Sequence, residues 1–468
     1  MTNRYIALGG MMSKKKIVLG SVVVLGAAYV GASWYIGTKT EAMIAKRLVS
    51  VNEKLAQQIT HENESIRLEE VSYERGVFSS SAVYALKVST EKRDSEIRFA
   101  AQYSHGPFPI AALSAGVFSP MLNYSQIIVM NEAEATELYQ AANGEVPVKA
   151  DSQVRFNGAV KSHITVAPAK VVSAKGTTLE TSVAHLYLDV SKDFRAVDGS
   201  LDIDSIAINE TLPVRHLRFE GAHLRVARTE HEDGVVSGQY KSGSRRFEFS
   251  SPAESVAVVM DNTVLQMSGT WSDQLISHAA VNYDLEALLL NGYDFGSITF
   301  GAELKNVDIH AERAWKQARV EFKDNPEVLK GYVQDLVKTH PEVSIRPLAW
   351  QNSGGESEIT ATVAFQPIAD DTAPWPMIKD LSLNASLSRR MVGSIVKPTE
   401  AVMRTMVDRI FDKGAQQYAK LGLIQYDRTN ATIALQYNAA DGNVVLNGTT
   451  MSFDAFSTLL KESNMAKW

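Results

Sequence analysis

From about residue 66 to 310, segment after segment of the chain alternates apolar and polar side chains one for one, and this limits the fold more than any other feature. In "EIRFAAQY", Ile97, Phe99, Ala101 and Tyr103 alternate with Glu96, Arg98, Ala100 and Gln102. "AHLYLDV" sets Ala184, Leu186, Leu188 and Val190 on one side, and "GAHLRVA" does so with Ala222, Leu224 and Val226. "SITFGAEL" contributes Ile298, Phe300, Ala302 and Leu304. A period of two places alternate side chains on opposite faces of a strand, so each segment has one dry and one wet face. That pattern belongs to antiparallel sheets rather than to parallel sheets buried on both sides. Asp198-Gly199 and Asp233-Gly234 read as turns between strands. Glu132 to Ala142 is the best helical interruption.

The last third mixes element types. "AERAWKQARVEF" reads as helix, and "DNPEVLKGYVQDLVKTH" as a second one, with Asn325 as its cap and Pro326 at its first position. "SEITATVAF" and "DLSLNASLS" are strands. A long helix is expected from about Pro398 to Leu421, then a hairpin around Asp441-Gly442 and a short closing helix. The expected class is α+β, mostly antiparallel β.

The N-terminus carries a different signal. Lys14, Lys15 and Lys16 precede Ile17–Ile36, 20 residues without a charge. At about 1.5 Å per residue, such a helix spans a hydrocarbon core roughly 30 Å thick. Trp34 and Tyr35 stand at its far end, where aromatic rings favour the membrane interface. The expectation is a retained single-pass anchor with residues 1–16 cytoplasmic. Cleavage after the small residues Val30-Gly31-Ala32 is the rival, but the apolar run continues past them. Met11 and Met12 are alternative starts to Met1. Residues 37–65 read as a membrane-proximal helix, 66–310 as a β-rich region and 311–468 as an α+β region. Ile44, Leu48, Val51, Leu55 and Ile59 form a stripe at spacings of three and four, suited either to docking on the chain's own β region or to a homodimer seam.

Composition narrows the chemistry. Cysteine is absent, which excludes disulfides, thiolate metal sites and a cysteine nucleophile. The net charge is -6. Removing Arg4, Lys14, Lys15 and Lys16 from the 47 bases leaves 43 against 53 acids, so no nucleic-acid partner is expected. None of the ten histidines stands in a metal-binding motif, and His185 and His223 read as solvated. Asp202 and Asp204 share a strand face as a hydrolytic pair would, but in an acidic chain a wet strand face is the simpler reading. No cofactor, metal or catalytic residue is expected.

"YERGVFSSSAVYALKV" begins with loop residues and runs into an alternating strand. Gly76 suits a backbone that other residues resist, beside Arg75. Phe78 reads as a core plug, and Ser79 and Ser80 as turn hydrogen-bonders. No base or oxyanion hole is legible near these serines, so the segment reads as a strand entry and not as a nucleophile site. His105, Gly106 and Pro107 read as a strand-ending turn. These residues, with Asn447 and Gly448 of "VVLNGTTMSF", are taken as structural motif positions.

Those two segments, together with "SHGPF" and "HPEVSIRPLAWQNSGGESEITATVAF", make the chain resemble the YdgA/YihF-like family of bacterial envelope proteins from about Lys14 onward. Val77 departs from the larger aromatic expected at its position. The resemblance implies a protein anchored in the inner membrane and facing the periplasm. The family is of uncharacterised function, so it supplies no catalytic residues.

Two classes of function remain open. One is a non-enzymatic envelope protein whose half-apolar sheet holds lipid or acyl chains or serves as a scaffold. The other is a periplasmic hydrolase with an unrecognised carboxylate or histidine site. An open apolar trough would favour the first and a closed polar pocket the second.

Overall fold

The computed structural model describes Asn52 and residues 65–463, apart from 76–78, 91–92, 106–108, 324, 369–374, 395 and 397–400. The expected span at Ile17–Ile36 and the stripe from Ile44 to Ile59 lie outside the described residues. So do Gly76, Phe78, Gly106 and Pro107. Among the described residues no helix is long and apolar enough to cross a membrane. The chain divides into two compact units, residues 1–229 with 248–255, and residues 230–247 with 256–468.

The first unit is built on antiparallel strands β1 Ser65–Arg75, β2 Ser79–Thr90, β3 Arg93–His105, β4 Asn123–Val129, β5 Val148–Val154 and β6 Val160–Val166. The short β7 Ala169–Val172 and β8 Thr178–Thr181 follow, then β9 Ala184–Val190, β10 Ala196–Thr211 and β11 Val214–Glu230. β1 to β6 pair in sequence order, β6 pairs with β9, and β9 with β10. β8 joins the same edge of β10 beyond β9. The expected alternation is realised here. Tyr84, Leu86, Ile97, Phe99, Ile127 and Ile164 are buried on one face, whereas Arg98 and Gln102 face outward. Helix α1 (Ile110–Ser114) follows β3, and helix α2 (Thr136–Ala141) is preceded by a 3-10 turn at Ala133–Ala135, close to the expected interruption. The Tyr139 hydroxyl of α2 donates to the Val129 carbonyl (2.6 Å). On the edge of β1 away from β2, the Asn52 amide takes up the backbone groups of Leu68. Its Oδ1 accepts from the Leu68 amide (2.8 Å) and its Nδ2 donates to the Leu68 carbonyl (3.0 Å).

One expected turn is a strand. Asp198 and Gly199 lie inside β10, paired with Asp189 and Leu188 of β9. A side chain at Gly199 would come within 3.1 Å of Leu188 Cδ2, so the glycine admits its cross-strand neighbour instead of reversing the chain. The reversal falls at Ser191–Arg195, where the Ser191 amide bonds the Ala196 carbonyl.

β12 Val236–Ser251 precedes the long strands of the second unit. These are β13 Val256–Trp271, β14 Leu275–Leu290, β15 Tyr293–Asp308, β16 Glu342–Asn352, β17 Gly355–Phe365 and β18 Ile378–Ser388. β13 to β18 pair antiparallel in sequence order, and β18 then pairs with β20 Asn430–Asn438. β19 Gln425–Tyr426 also pairs with β20, which continues into β21 Asn443–Leu446 and β22 Thr449–Ser452. Helices α3 Ile309–Glu321 and α4 Pro326–Val337 separate β15 from β16. Asp308 caps α3 by accepting from two backbone amides, and Asn325 caps α4, as its sequence indicates. Helix α5 (Arg389–Gly393) and the long α6 (Ala401–Lys420) follow β18, and α7 (Phe453–Glu462) closes the described chain. The mostly antiparallel β class and the placing of helices mainly in the C-terminal part are both realised.

Candidate functional site

Two features answer the question of chemistry, one in each unit. The first unites segments that the sequence keeps apart. Pairing of β2 with β3 puts Ser80 opposite Tyr103, so Ser80 and His105 project from the same face at the end of the sheet. Ser80 Oγ and His105 Nε2 are 2.8 Å apart. The row continues across the strands through Tyr103, Ser125, Ser152 and Ser162, all buried. Ser152 and Ser162 bond each other through their hydroxyls (2.8 Å). His105 Nδ1, Asn123 Oδ1 and Ser125 Oγ are buried and have no hydrogen-bond partner among the described residues. On the far side Arg75 of β1 lies opposite Ser80. Burial first, and the Arg75 charge second, hold the His105 pKa below the usual imidazole value. Ser79 faces outward, paired with Ser104.

A base for Ser80 therefore exists, contrary to the sequence reading that none lies nearby. Its signal was distributed over two segments 25 residues apart, and only the β2–β3 register joins them. The pair still falls short of a catalytic constellation. A nucleophilic serine needs a base that is itself oriented by a third group, and among the described residues no carboxylate bonds His105 Nδ1. The other carboxylate pair also dissolves. Asp202 pairs with Arg225 (3.3 Å), and Asp204 is exposed. No group of three His, Asp or Glu side chains suited to a metal occurs among the described residues.

The opposite face of the same sheet holds a second cluster that the sequence reading missed. His163 stacks on Tyr187 with ring centroids 4.4 Å apart, and His163 Nε2 lies 3.1 Å from His185 Nδ1. His185 is thus engaged rather than merely solvated. Burial, and next the His185 ring, lower the His163 pKa. The cue was weak, because His163 and Tyr187 become neighbours only through the β6–β9 register.

Asn447 and Gly448 form the two-residue turn between β21 and β22, both at positive φ (52° and 82°), as such hairpins require. Asn447 Oδ1 accepts from the Ala434 amide (3.0 Å), while Nδ2 donates to the Gly422 and Leu423 carbonyls (both 3.2 Å).

The second feature is one face of the second unit's sheet. Cross-strand pairing lines its apolar residues into rows. One row runs Tyr283, Phe300, Leu348, Ile359, Ala385 and Ile433. The next runs Met267, Val281, Ala302, Ile345, Ala361, Leu383 and Leu435. A register shift after Ile345, at Arg346-Pro347, changes the phase of β16 by one residue, so Leu348 and Trp350 rejoin the apolar face. The reverse face is polar, with Lys305 paired to Glu342 (2.8 Å) and Glu303 to Arg346 (3.5 Å).

Cover on the apolar face is uneven. At the β18–β20 end, Leu381, Leu383 and Ile433 pack against a cluster containing Leu423, Tyr437, Leu446 and Phe456 of α7, with Trp375 edge-on to Tyr437 and Phe453. No residue of β13 to β17 belongs to that cluster. There Met267 is 49% exposed, Val343 42%, Leu348 40% and Ile359 39%, although Leu285 of β14 on the same face is buried. The matching face of the first unit is closed, with Phe99 and Ile97 at 1%.

The chain matches a family model described as "Bacterial protein of unknown function (DUF945)" over residues 12–454. It is 24% identical to "Protein YdgA" of Escherichia coli (strain K12), a match spanning 95% of this chain and 96% of that protein. It is 22% identical to "Uncharacterized protein YihF" of the same organism, over 94% of this chain and 98% of the relative. An "Uncharacterized protein" of Haemophilus influenzae is 21% identical over 64% of this chain. No solved structure matches. The chain belongs to the DUF945 family, in keeping with the resemblance read from its sequence.

Proposed function

We propose that this DUF945 protein is a non-enzymatic component of the cell envelope that holds lipid acyl chains on the apolar face of β13 to β17. The observation carrying this reading is the contrast between the strands of the two units, the first closed over their apolar face and the second left partly open. Contiguous exposed apolar surface is costly in water and marks binding surfaces. Each methylene laid on it returns about 0.8 kcal/mol, so eight buried methylenes would supply about 6 kcal/mol. The uncharged run at Ile17–Ile36 would anchor the protein in the bacterial inner membrane and leave the body in the periplasm.

The decisive experiment purifies the full chain gently and identifies bound lipid by mass spectrometry, then repeats it with Phe300→Glu and Leu348→Glu. Acyl lipid at near-stoichiometric amounts, lost in the folded variants, is the expected result. Its absence from the unsubstituted protein sinks the reading.

The Ser80–His105 pair favours a second reading, a periplasmic hydrolase. An activated serine would be labelled by a fluorophosphonate probe, and Ser80→Ala would abolish labelling. Because no group among the described residues orients His105, we expect no labelling.

A further inference from the structure

Helix α6 has an apolar face that turns away from the protein. Val402 is 86% exposed, Ile410 62%, Met406 59% and Met403 53%. At about 100° per residue these four side chains fall within an arc of about 100°, one continuous ridge. The opposite side packs inward through Val407, Phe411 and the buried Ala415. The acids are sorted in the same way, although the exposed base Arg404 stands off the ridge, in line with Phe411 and Ala415. The helix's two acids are turned toward the protein, Asp412 bonding Arg389 (2.8 Å) and the Tyr426 hydroxyl, and Asp408 lying against Gly393. Arg409 and Lys413, both exposed, share the ridge side. The chain beyond the first 36 residues is acidic overall, so an outward face with bases and no acid runs against the whole.

We propose that this face of α6 docks on an anionic lipid surface. An apolar ridge flanked by bases is what an interfacial helix presents to a bilayer, burying the ridge at the headgroup boundary while the bases meet lipid phosphates. An apolar protein partner would account for the ridge but not for the sorted charge. The proposal rests on the helix alone and does not depend on acyl chains binding the sheet.

The absence of cysteine allows labels at single sites without background. Nitroxide-lipid quenching of a fluorophore at Met406→Cys or Ile410→Cys is measured for the full chain in vesicles of phosphatidylcholine with roughly 30% phosphatidylglycerol. Gln317→Cys on α3, also exposed, serves as the reference. Quenching at 406 and 410 should exceed the reference several-fold and weaken in pure phosphatidylcholine. Adding Arg409→Glu and Lys413→Glu should lower it about tenfold with the thermal melt unchanged. Quenching no greater than at 317 overturns the proposal. Equal quenching in both lipids overturns the role of charge. Label-to-label proximity in detergent, unaltered by lipid, would assign the ridge to a second copy of the chain and also overturn it.

Discussion

A proton on His105 would place an N–H on both ring nitrogens, and among the described residues only Nε2 has a partner, Ser80. Burial, then Arg75, lowers the folded-state pKa below its unfolded value near 6.5. The folded protein therefore binds fewer protons than the unfolded chain. This contribution to stability is complete above about pH 6.5 and is lost as pH falls through that value toward the lowered pKa. His163, lowered mainly by burial, acts in the same window with the same sign. Denaturation midpoints should thus fall between pH 7.5 and 5, and His105→Gln should flatten that slope. A slope unchanged in both His105→Gln and His163→Gln contradicts the account. Asn447 offers a sharper test. Its side chain makes three hydrogen bonds to backbone from a left-handed conformation. Asn447→Ala should cost about 2–4 kcal/mol in urea unfolding, and Asn447→Gly less backbone strain but the same lost bonds.

Strands, unlike contacts, were largely legible, because period-two alternation is local. "EIRFAAQY" predicts its own two faces, and β3 has them. What the sequence concealed were features created by register. The Ser80–His105 bond, the His163–Tyr187 stack and the apolar rows of the second unit all need strands aligned to within one residue. Asp198-Gly199 misled because the same dipeptide serves a turn or a crowded strand, and only Leu188 across the ladder decides. Alternation also says which face is apolar but not what covers it. Phe99 and Phe300 hold equivalent places in that pattern, yet Phe99 is sealed and Phe300 only half-buried. Phe99→Ala should accordingly cost about 3–5 kcal/mol, and Phe300→Ala less than half as much. Equal losses would mean that the second face is covered in solution.

At the scale of the whole molecule, the two units make different use of one construction. In the first, the apolar face is spent on its own core, and the polar row of Ser80, Tyr103, Ser125, Ser152 and Ser162 is buried with it. In the second, α7 and its aromatic cluster close one end of the face and Leu285 of β14 is buried, while Met267, Val343, Leu348 and Ile359 stay open. A ligand that binds the folded state alone stabilises it by RT ln(1 + [L]/Kd), about 2.7 kcal/mol at a hundredfold excess over Kd. If acyl chains occupy the open rows, that gain belongs to the unit that holds them. Hydrogen exchange on the full chain with and without a long-chain fatty acid can locate it. Backbone amides around Val281, Ala302 and Ile345 should gain protection, approaching a hundredfold slowing where exchange requires global opening of the unit. Amides around Phe99 and Ile127 should exchange as before. Uniform protection of both units would place the ligand elsewhere. No change at any ligand concentration would overturn the reading that the half-open face of β13 to β17 holds acyl chains.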